Sequence, residues 1–367
     1  MKTRRTKLPS MVSGQPLFLD SFSFGEAAIG RSAYIQAGLH ADEHPGILVI
    51  QHLITMLGEY EEQGKIVGEI VLVPLANPVG MMQNVLGNWA GRFDLSNGEN
   101  FNRHFPELRE KLEKRGLAGE TDTALMIQQS LADIEPSDTV GLMKHALFAE
   151  ALKHDFVLDL HCDTDAVLHL YTNRVHTERA RKLAQALGAD VIFVEDYAGG
   201  QPFDEAVYRV WQWFSDRQML GSRPLPFSVT VELRGQADVS DVLARQDAEA
   251  IIAFLAEEGI LLAQPANSAK PERLRIYPLE GASHLQAPVS GILAWRKRPG
   301  EPVTPGEHLA DIVSVSDGHR TPVYSNVDGV MVARPVMKMI RSGQRVALLA
   351  GNDRLEERQD GKLLRHF

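Results

Sequence analysis

A single cysteine, Cys162, stands in a chain of 367 residues, so neither an internal disulfide nor a cysteine-only metal cluster can form. A basic surplus is missing too: 38 Lys and Arg face 48 Asp and Glu, a formal charge of −10 with no long basic run. That balance argues against nucleic acid as a primary partner. No stretch approaches the roughly 18 apolar residues of a membrane span. The opening Met1-Lys-Thr-Arg-Arg-Thr-Lys-Leu-Pro-Ser10 lacks the apolar region of a secretory signal. A soluble, cytoplasmic protein with no membrane partner is expected. Its composition, 44% hydrophobic and 23% charged, is that of a folding chain, and at roughly 150 residues per domain the length suggests two domains.

From about Ser32 to Gly259, short β-rich apolar runs alternate with helical patterns, the rhythm of an α/β fold whose mostly parallel sheet is flanked by helices. Strands are expected at Ala33–Ala37, Ile66–Leu75, Phe156–Leu160, Val191–Val194 and Phe227–Leu233. Helices are expected at Pro45–Tyr60, Asp138–Lys153, Thr177–Leu187 and Ser240–Glu258. Pro45 suits a first helical position, Ser240 can cap the last helix and Gly259 can close it. Gln264–Pro271 reads as a linker. Beyond it, short β-rich runs between Gly and Pro suggest an all-β barrel or sandwich with a weak internal duplication. The expected division is a catalytic domain over 1–264, a β-rich domain over 272–352 and a polar tail over 353–367.

The sharpest local signal is Gly38-Leu-His-Ala-Asp-Glu-His-Pro-Gly46, which follows a strand and opens a helix. Side chains there sit at the carboxyl end of a parallel strand, where open α/β sheets place their sites. His40 and Glu43 offer an imidazole nitrogen and a carboxylate oxygen, both suited to zinc. The run also fits His-x-x-Glu-His, with two histidines one helical turn apart. Pro45 argues against that second reading, because it disfavours helical angles at His44. The best candidate for a third ligand is His161, in Asp155-Phe-Val-Leu-Asp-Leu-His-Cys-Asp163, with His169 as its rival. Two histidines and a carboxylate leave a fourth zinc position open for water. Either Asp159 or Asp163 could orient an imidazole.

Glu232, within Phe227-Ser-Val-Thr-Val-Glu-Leu-Arg-Gly235, is a carboxylate in an apolar strand, which is costly unless it works; it is the candidate general base. Asn102 and Arg103, adjacent in Asn97-Gly-Glu-Asn-Phe-Asn-Arg-His-Phe-Pro106, suit a carboxylate-bearing substrate. Arg92 suits a developing oxyanion.

These motifs, with Asn77-Pro78 between them, follow the order found in zinc-carboxypeptidase-like hydrolases. With the β-rich tail the chain resembles the succinylglutamate desuccinylase/aspartoacylase family. The resemblance implies one zinc held by His40, Glu43 and His161, and Glu232 as base and proton shuttle. It implies Arg92 on the scissile carbonyl, Asn102 and Arg103 on the substrate carboxylate, and a small N-acyl amino acid as substrate. The spacing from Arg92 to Asn102 and the segment Pro106–Asp138 depart from the family pattern, the segment reading as an insertion. The expected activity is zinc-dependent deacylation, the alternatives a metallocarboxypeptidase acting on peptides or a non-enzymatic carrier module with a structural metal. Association into a homo-oligomer stays open.

Neighbouring residues have plainer readings. His169 reads as a strand histidine satisfied by hydrogen bonds, and His104 as structural or a substrate neighbour. Cys162 points away from His161 along a strand and reads as an inert buried thiol. Arg234 suits a substrate contact or a partner for Glu232. Val336-Met-Lys-Met339 gives the tail the outline of a biotinyl or lipoyl domain, but Lys338 lies inside the second half rather than at the turn between halves, so no modification is expected.

Overall fold

The computed structural model describes residues 1–26, 31–119, 121–263, 273–356 and 358–363; the expected linker Gln264–Pro271 lies outside them. The fold is mixed α/β with a large, mostly parallel sheet. Its strands are β1 (Lys2–Val12), β2 (Gln15–Gly25), β3 (Ser32–Ala37), β4 (Glu69–Val73), β5 (Phe156–Asp163), β6 (His169–Asn173), β7 (Val191–Glu195), β8 (Phe227–Gly235) and β9 (Arg275–Pro278). The longer helices are α1 (Pro45–Glu62), α2 (Thr139–Ala151), α3 (Thr177–Leu187), α4 (Phe203–Asp216) and α5 (Asp241–Glu257). Two compact units form. One comprises Met1–His161, Gly200–Thr230 and Val239–Asn267, the other Cys162–Gly199, Val231–Asp238 and Ser268–Phe367.

In the first unit the strand order is β1-β2-β4-β3-β5-β8. β1 and β2 form an antiparallel hairpin, β2 runs antiparallel to β4, and β3 is parallel to both β4 and β5. Residues two apart share a face, and the two faces bury different helices. Tyr34, Val71, Val73 and Val157 pack with Met143, Leu147 and Phe148 of α2 and with Phe203, Val207, Trp211 and Phe214 of α4. Phe156 and Phe227 turn the other way, onto Phe254 of α5. Helix ends follow from local chemistry. Pro45 opens α1, the Ser240 hydroxyl accepts from Leu243 N at 3.3 Å, and Gly259 follows α5 at φ 78°.

Gly46, in the first turn of α1, lies against both central strands: a Cβ there would be 2.9 Å from the Leu160 Cβ and 3.1 Å from the Ala37 Cβ. The segment expected as an insertion holds two helices, Arg109–Gly116 and Thr123–Ala132. Its apolar Leu112, Met126, Ile127 and Leu131 join the core on the α4 side, and Glu113 accepts from the Trp213 indole at 2.9 Å.

In the second unit the end of β8 is followed by β6, β7 and β9 in sheet order, with β6, β7 and β9 mutually parallel. Two further antiparallel sheets carry the β-rich part. One runs Ala282–Gln286, Arg345–Gly351, Gly329–Arg334, Pro302–Val303; the other runs Arg320–Tyr324, His308–Val313, Gly291–Trp295, Met339–Ile340. Leu309 of the second sheet packs among Val303, Met331 and Leu349 of the first, so the sheets share a core. Ala333 and Arg334 pair with Ala166 and Asp165, which draws central residues of the chain into this unit. Lys338 is exposed, its ammonium donating to Pro335 O at 2.8 Å.

Candidate metal centre

β3 ends at Ala37, and Gly38 turns the chain in the left-handed region at φ 68°, where a side chain would be strained. The loop that follows is pinned on both sides. Ala76 N and Asn77 N donate to the carbonyls of Ala37 and Gly38 at 2.8 and 3.2 Å, and the Asn77 amide donates to Leu39 O at 2.9 Å. Ala41 N donates to Gly91 O at 3.0 Å. Asn77 also accepts from Gly80 N at 2.7 Å, so the Asn-Pro pair caps a short turn and ties it to the loop.

The helix starts at Pro45, after both histidines. His44 nevertheless takes helical angles, φ −83° and ψ −25°. Its carbonyl accepts from Ile47 N and Leu48 N at 3.1 and 3.3 Å, which offsets the crowding that a following proline imposes. His44 faces the Trp89 ring edge-on, with centroids 5.6 Å apart. His40 instead joins His161, which lies in the neighbouring parallel strand β5.

One ligand atom each from His40, Glu43 and His161 falls within a 4.8 Å cluster, and all three residues are buried. The two Glu43 oxygens divide between the rings: Oε1 is 2.9 Å from His40 Nδ1 and Oε2 is 2.7 Å from His161 Nδ1. The far nitrogens are held as well. His40 Nε2 lies 2.9 Å from Asn100 Oδ1, an atom that also accepts from Asn102 N at 2.9 Å. That backbone N–H fixes the amide orientation, so His40 Nε2 must be the donor. His161 Nε2 lies 2.9 Å from Asp159 Oδ2, again only an acceptor when ionised. Each Nδ1 faces a Glu43 oxygen, an acceptor that it can bond only through a shared proton, and a cation in place of that proton would meet the Nδ1 lone pair. With Nδ1 deprotonated, the two imidazoles and the carboxylate make a donor set that could bind a metal ion.

Burial would raise the Glu43 carboxyl, yet the His40 and His161 imidazoles hold it well below the usual carboxylate range. His40 is pushed down, chiefly by burial, with Glu43 opposing. His161 suffers the same burial, but Asp159 and Glu43 outweigh it and its pKa rises well above the ordinary histidine value. The pocket favours positive charge beside Glu43.

Arg92 Nη1 reaches 3.4 Å from both Glu43 Oε1 and His40 Nδ1, and its side chain is 41% exposed, so the guanidinium stands beside the cluster with one side toward solvent. Asn102 is buried. Its Oδ1 accepts from Phe203 N at 2.8 Å and its Nδ2 lies 3.3 Å from His161 Nε2. Arg103 is buried as well, Nη1 donating to Asn102 O at 2.6 Å and its own carbonyl accepting from Lys144 Nζ at 2.9 Å.

Residues 29–257 match the family model of the succinylglutamate desuccinylase/aspartoacylase catalytic domain. The chain belongs to that family. N-alpha-acetyl-L-2,4-diaminobutyric acid deacetylase of Halomonas elongata is 25% identical to it over 333 residues, 88% of this chain and 82% of that protein. A succinylglutamate desuccinylase/aspartoacylase family protein of Shewanella amazonensis shares its fold with a TM-score of 0.82 and 25% identity, covering 95% of this chain and 98% of that one. The ectoine utilization protein EutE of Ruegeria pomeroyi, in a product-bound structure, aligns at a TM-score of 0.68 and 16% identity, covering 95% and 94%.

The other residues singled out in this family member are placed as follows. Glu232 lies in the second unit, half-buried between buried Val231 and Leu233. In that unit Arg345 Nη2 is 2.9 Å from Asp163 Oδ1, and its guanidinium pKa is raised by Asp163 first, then by Tyr171 and Glu232. The two aspartates thus part company, Asp159 serving His161 and Asp163 serving Arg345. Arg234 takes a left-handed φ of 63°. His169 is buried with Nδ1 2.8 Å from Val167 O, Cys162 is buried, and His104 pairs loosely with Glu99 at 3.5 Å. Asn100 is a residue that sequence reasoning missed. Its signal was a third amide in the loop already marked by Asn102.

Asp204, buried at the start of α4, is pushed up to about 7, by burial first and then by the Asp159 charge. The unfolded chain loses that proton near the ordinary 3.8 and the folded one near 7, so between those values the folded state holds more protons and loses stability as pH rises. Asp204→Asn is expected to remove this slope, at most about 1.4 kcal/mol per pH unit, as read by urea unfolding across pH 4 to 7; an unchanged slope would refute the assignment.

Proposed function

We propose that the chain is a zinc-dependent amidohydrolase that removes a small acyl group from an N-acyl amino acid or related compound, on a zinc-carboxypeptidase-like catalytic domain spanning 1–264. The observation that carries this is the buried His40–Glu43–His161 triad, with both Nδ1 atoms turned onto one carboxylate. The diaminobutyrate deacetylase relative supports the acyl amino acid as substrate class. One zinc ion held by those three side chains would supply a Lewis acid that acidifies water and polarises the amide carbonyl.

The chain's own residues supply the rest. Arg92, already beside the cluster, donates to the carbonyl oxygen as negative charge builds on it. Glu232 takes a proton from the attacking water and returns it to the leaving nitrogen; its assignment rests on residue order and family resemblance. Asn102 and Arg103 bind the substrate carboxylate in this reading, Asn102 through the amide hydrogens near His161. The β-rich 272–352 segment, read as a second domain, carries no proposed catalytic group.

The test pairs elemental analysis of purified protein with a panel of N-acetyl and N-succinyl amino acids against peptides bearing a free C-terminus. About one zinc per chain and hydrolysis confined to N-acyl amino acids are expected. Turnover of peptides alone would replace the proposal with the carboxypeptidase alternative, and a metal-free, inactive protein would end it.

A further inference from the structure

Beyond Asp159 the hydrogen bonds continue into the sheet. Asp159 Oδ1 accepts from Gln36 Nε2 at 2.9 Å, and Gln36 Oε1 accepts from the Tyr34 hydroxyl at 2.8 Å. All three residues are fully buried. The arrangement follows from register: β3 and β5 run parallel with Gln36 opposite Asp159 and Tyr34 opposite Val157. Tyr34 and Gln36 share a face of β3, as Asp159 and His161 share a face of β5.

The direction of each bond is forced. A carboxylate oxygen only accepts, so Gln36 must turn its NH2 toward Asp159 and its carbonyl toward Tyr34, which must then donate. The hydroxyl keeps its proton, because burial and then the Asp159 charge push its pKa well above the usual tyrosine value. With Oδ1 satisfied by Gln36, Oδ2 is left to accept from His161 Nε2–H. A glutamine and a tyrosine hydroxyl at the centre of an apolar strand would each cost stability if unpaired. The chain of bonds removes that cost and ends at the imidazole.

We propose that Tyr34 and Gln36 are positioning residues, a buried relay that orients Asp159 and thereby keeps the His161 proton on Nε2 and its lone pair on Nδ1 toward the metal. The proposal rests on the reading of His40, Glu43 and His161 as a zinc site and adds two residues, neither of which touches the ion. Tyr34→Phe removes one oxygen and keeps the ring in place beside Phe203; Gln36→Met keeps the length of the side chain and removes both polar ends.

The experiment measures zinc affinity by chelator competition, and solvent exchange of the His161 Nε2–H in 15N-labelled protein with and without zinc. In the wild type the Nε2–H is expected to exchange slowly in the zinc-loaded protein. Each single variant should bind zinc about tenfold more weakly, the lower edge of what outer-shell substitutions cost. The double variant should fall no further than Gln36→Met alone, since the relay fails as a unit; independent structural roles would add. Zinc affinities within twofold of wild type and an undisturbed Nε2–H in both single variants would overturn the relay while leaving the zinc site standing. A wild type that binds no zinc at these residues would overturn both. Should Gln36→Met fail to fold, Tyr34→Phe alone decides by the same two readouts.

Discussion

Glu232→Gln is expected to lower kcat for an N-acyl amino acid by roughly 10²- to 10⁴-fold, the range that a positioned general acid–base contributes. Zinc content should stay at the wild-type level. The substitution is nearly isosteric, it leaves His40, Glu43 and His161 intact, and it removes only the ability to accept and return a proton. KM should change little, because a base that acts on water contributes to the transition state rather than to substrate binding. In the second unit the change also takes away one of the negative charges that raise Arg345, but Asp163 is the larger of them and remains at 2.9 Å. Steady-state kinetics together with elemental analysis decide the matter. A variant within tenfold of wild type would strip Glu232 of its role.

His161→Ala should have a different signature, because it removes a candidate ligand and takes one partner from each of two buried carboxylates at once. Asp159 loses the partner of its Oδ2, and Glu43 keeps His40 and Arg92 but loses its 2.7 Å bond. Dialysed protein is expected to carry well under one zinc per chain and no measurable deacylase activity, since the Lewis-acid contribution of several kcal/mol goes with the ion. Removing one partner from buried charged pairs should further cost about 3–5 kcal/mol of stability, measured by urea unfolding of metal-free wild type against metal-free variant. Stoichiometric zinc in this variant would show that the ion is held elsewhere.

The alternating part of the fold was legible because its signals are local. Strand β3, helices α1, α3 and α5, and the caps at Pro45, Ser240 and Gly259 lie where periodicity and end chemistry put them. The β1–β2 hairpin was not legible, because β1 reads Lys-Thr-Arg-Arg-Thr-Lys and, among its described side chains, buries almost only Leu8; charge on a sheet edge suits a strand that must not recruit another. Helix α4 was missed for the opposite reason. Phe203, Val207, Val210, Trp211, Trp213 and Phe214 are poor helix formers individually and are buried on most sides, so packing rather than propensity makes the helix.

The candidate site divides in the same way. His40, Glu43 and His161 could be picked out because imidazole and carboxylate at strand ends are chemically conspicuous. β5 runs on to Asp163, three residues beyond the expected Leu160, since His-Cys-Asp looks like the end of an apolar run although it continues the ladder. The choice between Asp159 and Asp163 needed the fold: they share a strand face, and only the partners that other elements bring, His161 for one and Arg345 for the other, separate them. Gln36 and Tyr34 were invisible, because a single amide in Ser-Ala-Tyr-Ile-Gln-Ala carries no pattern until register sets it opposite Asp159.

One consequence lies in the missing side chain of Gly46. Ala37 and Leu160, the residues its hypothetical Cβ would crowd, immediately precede the segment that supplies His40 and the residue His161. Even a methyl group would act as a wedge driven between the two arms of the claw. The spacing of the two imidazoles is therefore set by an empty place in the packing, and a redesigner who varies every candidate ligand freely would still have to leave position 46 bare.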